Sequence, residues 1–136
     1  MAIIYLTNHI LHKNKIKHNS SWIKINVLVD SSIANIIESF NTFKKIHTFE
    51  SCQRGDNEFA YIGFLYGDYE NDKWDELTKF VFDFLGPHLV NEFGDRIDIS
   101  VRINSLGNVQ GELLFNKSIT QKLQIFLKLL SQKCDY

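Results

Sequence analysis

Cys52, Arg54 and His47 are the residues whose types and spacing could do chemistry. A thiol becomes a useful nucleophile when a nearby positive charge or base lowers its pKa. Arg54 follows Cys52 closely enough to hold an anion beside it, and His47 is the nearest base. Along an extended strand, however, side chains alternate between faces. Period two puts His47 with Phe49 and Ser51, and puts Cys52 with Thr48 and Glu50, so the pair meets only if the loop turns back. The polar turn Ser51-Cys52-Gln53-Arg54-Gly55-Asp56-Asn57-Glu58 carries these groups between two apolar runs. Ser51, Gln53 and Asp56 therefore join Cys52 as candidate binding residues. Following a strand and preceding polar residues, Cys52 is placed to be accessible; the plainer reading is a partly buried, inert cysteine with a salt-bridged turn, since free cysteine is among the most buried residue types. Arg54-Gly55-Asp56 then reads as a tight turn whose glycine supplies positive φ.

The stretch Asp68-Tyr69-Glu70-Asn71-Asp72-Lys73-Trp74-Asp75-Glu76 offers a different chemistry. Its oxygen ligands are dense, but the spacing of a calcium loop, with its central glycine and terminal glutamate, is absent. Acidic groups beside aromatic ones can dock on a basic partner and steer its arrival. Tyr69, Asp72, Trp74 and Asp75 are the binding candidates here. The alternative is a helix start whose dipole favours Asp75 and Glu76.

A third surface is an open sheet face carrying Lys24, Asn26, Arg96, Asp98, Ser100 and Arg102, with Phe59 or Tyr61 from a central strand. Basic groups next to aromatics on a sheet are how RNA-recognition modules stack bases. The run Phe59-Ala60-Tyr61-Ile62-Gly63-Phe64 does not carry their aromatic consensus, and Asp98 opposes phosphate. Nucleic acid is therefore not the expected partner. His9, His12 and His18 lack a paired-ligand pattern, so no metal is expected. No phosphate-loop, dinucleotide-binding, nucleophile-elbow or His-Glu-x-x-His motif occurs, so no cofactor is expected.

The elements that must position these groups follow from composition and periodicity. In 136 residues, 44% hydrophobic with 11 phenylalanines, the chain can bury one core. The expectation is a single domain over 1–136, with residues 1–21 as an edge strand and a basic arm. Charge is uneven. Residues 1–55 carry seven Lys and Arg against three Asp and Glu, residues 56–98 three against eleven, and residues 99–136 five against two. That division implies one acidic and one mildly basic surface. The start Ala2–Leu6 lacks the charged lead and long apolar core of a signal peptide. No segment reaches the roughly 20 apolar residues of a membrane span. Cys52 and Cys134 do not form a disulfide framework. The expectation is a cytoplasmic protein that does not enter the membrane.

Trp22 to Val29 alternates as a strand with one buried face. Asp30, Ser31 or Ser32 caps a helix whose stripe is Ile33, Ile36, Ile37, Phe40 and Phe43. A hairpin follows, Ile46–Glu50 and Phe59–Tyr66, with Gly63 leaving a gap for a close neighbour. Asn71 or Asp72 caps a second helix with Trp74, Leu77, Val81, Phe84 and Leu85 on its core stripe. Phe80 and Phe82 broaden that stripe beyond what one sheet face needs, a surface that allows a homodimer. Gly86-Pro87 ends or kinks this helix. Arg96–Ile103 and Val109–Phe115 form a second hairpin, and Ser118 with Gln121 forms a capping box for a last helix. The order is β-α-β-β-α-β, then β-α. This predicts an α+β fold, a ferredoxin-like antiparallel open sheet of strand order 4-1-3-2, extended by the C-terminal strand and helix. Function is expected to be binding rather than catalysis: an accessory protein that engages a protein partner through its acidic aromatic face. An enzyme at the Cys52/Arg54 loop is the rival expectation, and RNA binding on the open sheet face is the weaker one.

Overall fold

A computed structural model describes residues 2–6 and 23–27 as backbone, and residues 31–52, 56–67, 74–103, 107 and 109–136 with side chains. The fold is α+β. Strands β3 (Ile46–Cys52), β4 (Phe59–Tyr66), β5 (Ile97–Ile103) and β6 (Val109–Asn116) form an open antiparallel sheet in the order β3-β4-β6-β5. Strands β1 (Ala2–Leu6) and β2 (Ile23–Val27) pair with each other in a separate antiparallel ribbon that sets Ile4 opposite Ile25. Strand β1 runs beside β3 and helix α1 (Ser31–Phe40).

This order corrects the expected 4-1-3-2 arrangement. The strand that was to enter the sheet beside β4 is β2, and it lies in the ribbon instead. Its place is taken by β6, whose core-facing residues complement those of β4. Ala60 stands opposite Phe115, Ile62 opposite Leu113, and Phe64 opposite Gly111. A large ring opposite a glycine fills a flat position that would otherwise leave a void.

The even-numbered residues of β4 face the helices. Ala60, Ile62, Phe64 and Tyr66 join Ile36, Phe40, Phe80, Leu85, Leu113, Phe115, Leu123 and Leu127 in one buried cluster. The described helices therefore pack on one face of the sheet. Aromatic rings dominate: Phe40 meets Phe64 edge-on at 4.8 Å, and Phe43 meets Phe80 at 5.5 Å. Each ring contributes roughly 1.5–3 kcal/mol by leaving water. Helix α1 stops at Phe40, where Thr42 donates from its backbone to Ser39 and caps the same carbonyl with its hydroxyl. Phe43, expected on the helix stripe, is buried from the following turn instead. Asn41 then clamps Thr48: its amide donates to Thr48 Oγ1 at 2.9 Å, and its carbonyl accepts from Thr48 N–H at 3.0 Å.

The chain from Trp74 to Phe93 is one helical rod with a change of pitch. Helix α2 (Trp74–Thr78) passes into a π-helical segment, Lys79–Leu85, and then into α3 (Gly86–Phe93). Gly86-Pro87 was expected to end or kink the helix. The helix does not end there, and the backbone widens into the π segment just before it. Proline has no N–H to give and its ring crowds the carbonyl four residues back. Gly86 N–H donates to Val81 O, five residues back, as a π-turn requires. A β-carbon at Gly86 would lie 2.6 Å from that same carbonyl oxygen, so only glycine fits.

Helix α4 (Thr120–Gln132) is not opened by the Ser118–Gln121 box. Asn116 accepts from Ser118 N–H at 2.9 Å and starts a 3-10 turn, Lys117–Ile119, that leads into α4. After α4, Tyr136 packs on Phe84 and Phe80, and its carbonyl accepts from Lys44 N–H.

Candidate functional site

Trp74, Phe82 and Val90 are the large apolar residues that the 74–93 rod leaves in solvent, at 41%, 53% and 54% exposure. The same rod buries Leu77, Phe80, Val81, Leu85 and Leu89. The three exposed residues recur every eight positions. In an unbroken α-helix, at about 100° per residue, each such step would rotate by about 80°. The π segment places more residues in each turn, which turns Phe82 back toward the line of Trp74 and Val90 back toward that of Phe82. The change of pitch thus gathers three scattered residues into a ridge. Single exposed apolar residues are ordinary, and it is alignment along one side of the rod that sets these three apart.

Acid flanks this ridge. Asp75 follows Trp74 and Asp83 follows Phe82 at the same offset, and Glu76 and Glu92 are exposed as well. Lys79 is the one lysine between positions 74 and 93. Lys45 reaches Glu76 from the loop after α1, at 3.9 Å. Trp74, expected on the core stripe of its helix, belongs to the exposed ridge. Trp74 and Asp75 of the expected acidic aromatic face are thus joined by Phe82, Asp83 and Val90, which sequence reasoning missed. The surplus of phenylalanines at 80 and 82 was the signal for them. Tyr69 and Asp72 lie outside the described residues.

The opposite face of the sheet carries a polar network. The register of β3 shifts between Thr48 and Glu50, so Phe49 bulges and Glu50 stands opposite Gly63. The gap over Gly63 is filled by this protein itself. A β-carbon there would lie 3.0 Å from the Tyr61 hydroxyl and 3.2 Å from the Phe49 ring. The Tyr61 hydroxyl reaches Glu112 Oε1 at 3.3 Å and Glu50 Oε2 at 3.4 Å. Glu112 Oε1 also accepts from Arg102 Nε at 2.6 Å and Gln110 Nε2 at 3.1 Å. Burial, then the Glu50 and Glu112 carboxylates, hold the Tyr61 phenol well above its ordinary range, against a smaller pull from Arg102. Tyr61 is a fixed hydrogen-bond donor, and the network locks strands β3 to β5 across this face. Asp98 and Ser100 are exposed on the same face, while Arg96 lies in the turn before β5. Lys24 and Asn26 sit on β2, away from this sheet.

The Cys52 loop is divided. Cys52 is exposed at the end of β3 rather than buried, opposite Tyr61, and Ser51 is half-buried opposite Ile62. Asp56 is exposed in the turn, and Asn57 accepts from Phe59 N–H at 2.9 Å to start β4. Gln53 and Arg54 lie outside the described residues. The Phe49 bulge reverses the parity of β3, so His47 and Cys52 share a face after all. His47 stands opposite Leu65 and Cys52 opposite Tyr61. Four residues of strand, about 14 Å at ~3.4 Å each, separate them. His47 therefore does not act as a base for Cys52. Among the described residues, no group of three or more His, Cys, Asp and Glu is placed to hold a metal ion.

The fold and surfaces define an α+β protein with a four-stranded antiparallel sheet, one face helix-covered and the other polar. Among the described residues no helix is long and apolar enough to cross a membrane. Comparison with family models, with curated proteins and with solved structures gives no match.

Proposed function

We propose that this chain is a binding and accessory module that docks a protein partner on the 74–93 ridge. The observation that carries the reading is the alignment of Trp74, Phe82 and Val90 in solvent with acid on the flanks. Apolar side chains held in water are a standing source of binding energy. The carboxylates select a partner whose apolar residues are flanked by Lys or Arg. A cytoplasmic setting belongs to the same reading, since the chain's two cysteines, Cys52 and Cys134, do not make a disulfide framework.

The test uses a synthetic amphipathic peptide with leucine on one face and lysine on the flanks, titrated against the full chain by fluorescence anisotropy. Binding is expected to weaken with salt and to drop at least tenfold in Phe82→Ser and in Asp75→Lys/Asp83→Lys. Equal affinity in wild type and both variants would remove the ridge from the argument. The exposed position of Phe82 keeps the fold intact in the first variant.

A further inference from the structure

We propose that the ridge is occupied by α4 of a second copy of this chain, in a two-fold dimer. The proposal rests on the ridge being a docking surface and names what docks there.

Helix α4 contains no acidic residue, and carries Lys122 and Lys128 with Lys133 just beyond it. Its inner stripe, Leu123 and Leu127, is fully buried in the chain's own core. Ile125 and Leu129 are not, at 51% and 47% exposure. Four residues apart, they are neighbours on the helix surface. At about 100° per residue, Lys122 and Lys128 stand about 60° to either side of Ile125. The outer face of α4 is therefore an apolar stripe edged by lysine. The 74–93 ridge is an apolar stripe edged by carboxylate. One chain carries both halves of a charge-complementary contact.

Their placement lets both contacts form at once. Phe93 at the end of α3 packs edge-on against Phe126 of α4, with centroids 5.4 Å apart. The end of the 74–93 rod and α4 thus meet in the layer of helices that covers the sheet. A two-fold axis between them sets each ridge on the partner copy's stripe and closes the assembly, as an isologous interface does. All four apolar surfaces leave water together.

The test is sedimentation equilibrium of the full chain over a range of protein and salt concentrations. The expected result is a species of twice the 15.9 kDa chain mass that dissociates as salt rises. Phe82→Lys and Leu129→Glu should each weaken it at least tenfold. An equimolar mixture of the two variants should restore a dimer, because the mixed pair holds one unaltered contact and one Lys–Glu contact. Circular dichroism of each variant checks that the fold is kept. A wild type that stays monomeric overturns the proposal, as does a dimer indifferent to both variants. A stripe that binds anionic phospholipid vesicles without dimerising overturns it too. In each of these cases the peptide titration decides separately whether the ridge is a docking surface.

Discussion

The Phe64 ring lies directly over Gly111. A β-carbon at Gly111 would collide with ring atom Cζ. The two residues stand opposite each other on β4 and β6 and join the two central strands at the core face. Gly111→Ala is expected to cost about 1–3 kcal/mol through overpacking, seen as a lower urea midpoint at unchanged slope. Phe64→Leu in the same chain should recover part of the loss, and strict additivity of the two would show that the ring is not the obstacle.

Gly86 should reverse an ordinary rule. In the interior of an exposed helix, alanine is favoured over glycine by about 1 kcal/mol. Here the added carbon meets the Val81 carbonyl, part of the backbone and unable to swing aside. Gly86→Ala is expected to destabilise the protein, measured by thermal or urea unfolding. A stabilised variant would mean that the rod relaxes to a plain α-helix at no cost.

Tyr61 sets an alkaline limit. Its folded-state pKa is raised, by burial first and by Glu50 and Glu112 next, while an unfolded tyrosine ionises near 10. The contribution to stability is therefore whole below about pH 10 and is lost as pH rises further, because the unfolded chain releases a proton that the fold retains. Tyr66 is shifted upward too, chiefly by burial, and adds to the slope. Unfolding midpoints should fall more steeply above about pH 10 in wild type than in Tyr61→Phe. Parallel curves would exclude Tyr61 as a source.

Asn41 holds both the hydroxyl and the backbone N–H of Thr48, a residue only 1% exposed. Asn41→Ala strands these groups and is expected to cost about 1–3 kcal/mol. Thr48→Val removes the hydroxyl but leaves the N–H bonded to Asn41, and should cost less. The reverse ranking, measured by urea unfolding, would show that the hydroxyl pair is the stronger part of the clamp.

Periodicity located strands and helices because each buries one face, and it stopped where partners had to be chosen. Ile97, Ile99, Val101 and Ile103 alternate cleanly and form β5. Trp22–Val29 alternates equally well, and β2 is a strand. Alternation says which side is buried, not which strand lies alongside, and the pairing of β6 with β4 is what sets Phe64 opposite Gly111. The bulge at Phe49 carries no glycine or proline to announce it, yet it sets Glu50 beside Tyr61 and gives His47 and Cys52 a common face. Pro87 did announce a disturbance in its helix. Whether the helix would break or widen depended on the backbone fit of Gly86 against Val81 one turn back, which periodicity does not specify. For the same reason Trp74 and Asp75 were legible as a surface, whereas Phe82 and Val90 were not: an eight-residue recurrence becomes a line only after the pitch changes.

The clamp on Thr48 also governs what can be added to the sheet. Strand β3 ends one side of the β3-β4-β6-β5 array. The outward N–H groups of such a strand are templates for an incoming chain, the usual start of strand addition and aggregation. Asn41 already accepts the bond from Thr48 N–H, beside the Phe49 bulge that breaks the regular spacing. A foreign strand would have to displace β1, which runs beside β3, and the Asn41 side chain, and match an irregular register as well. Loss of Asn41 would therefore expose an adhesive margin as well as weaken the fold, and partial unfolding from that side would favour fibrils.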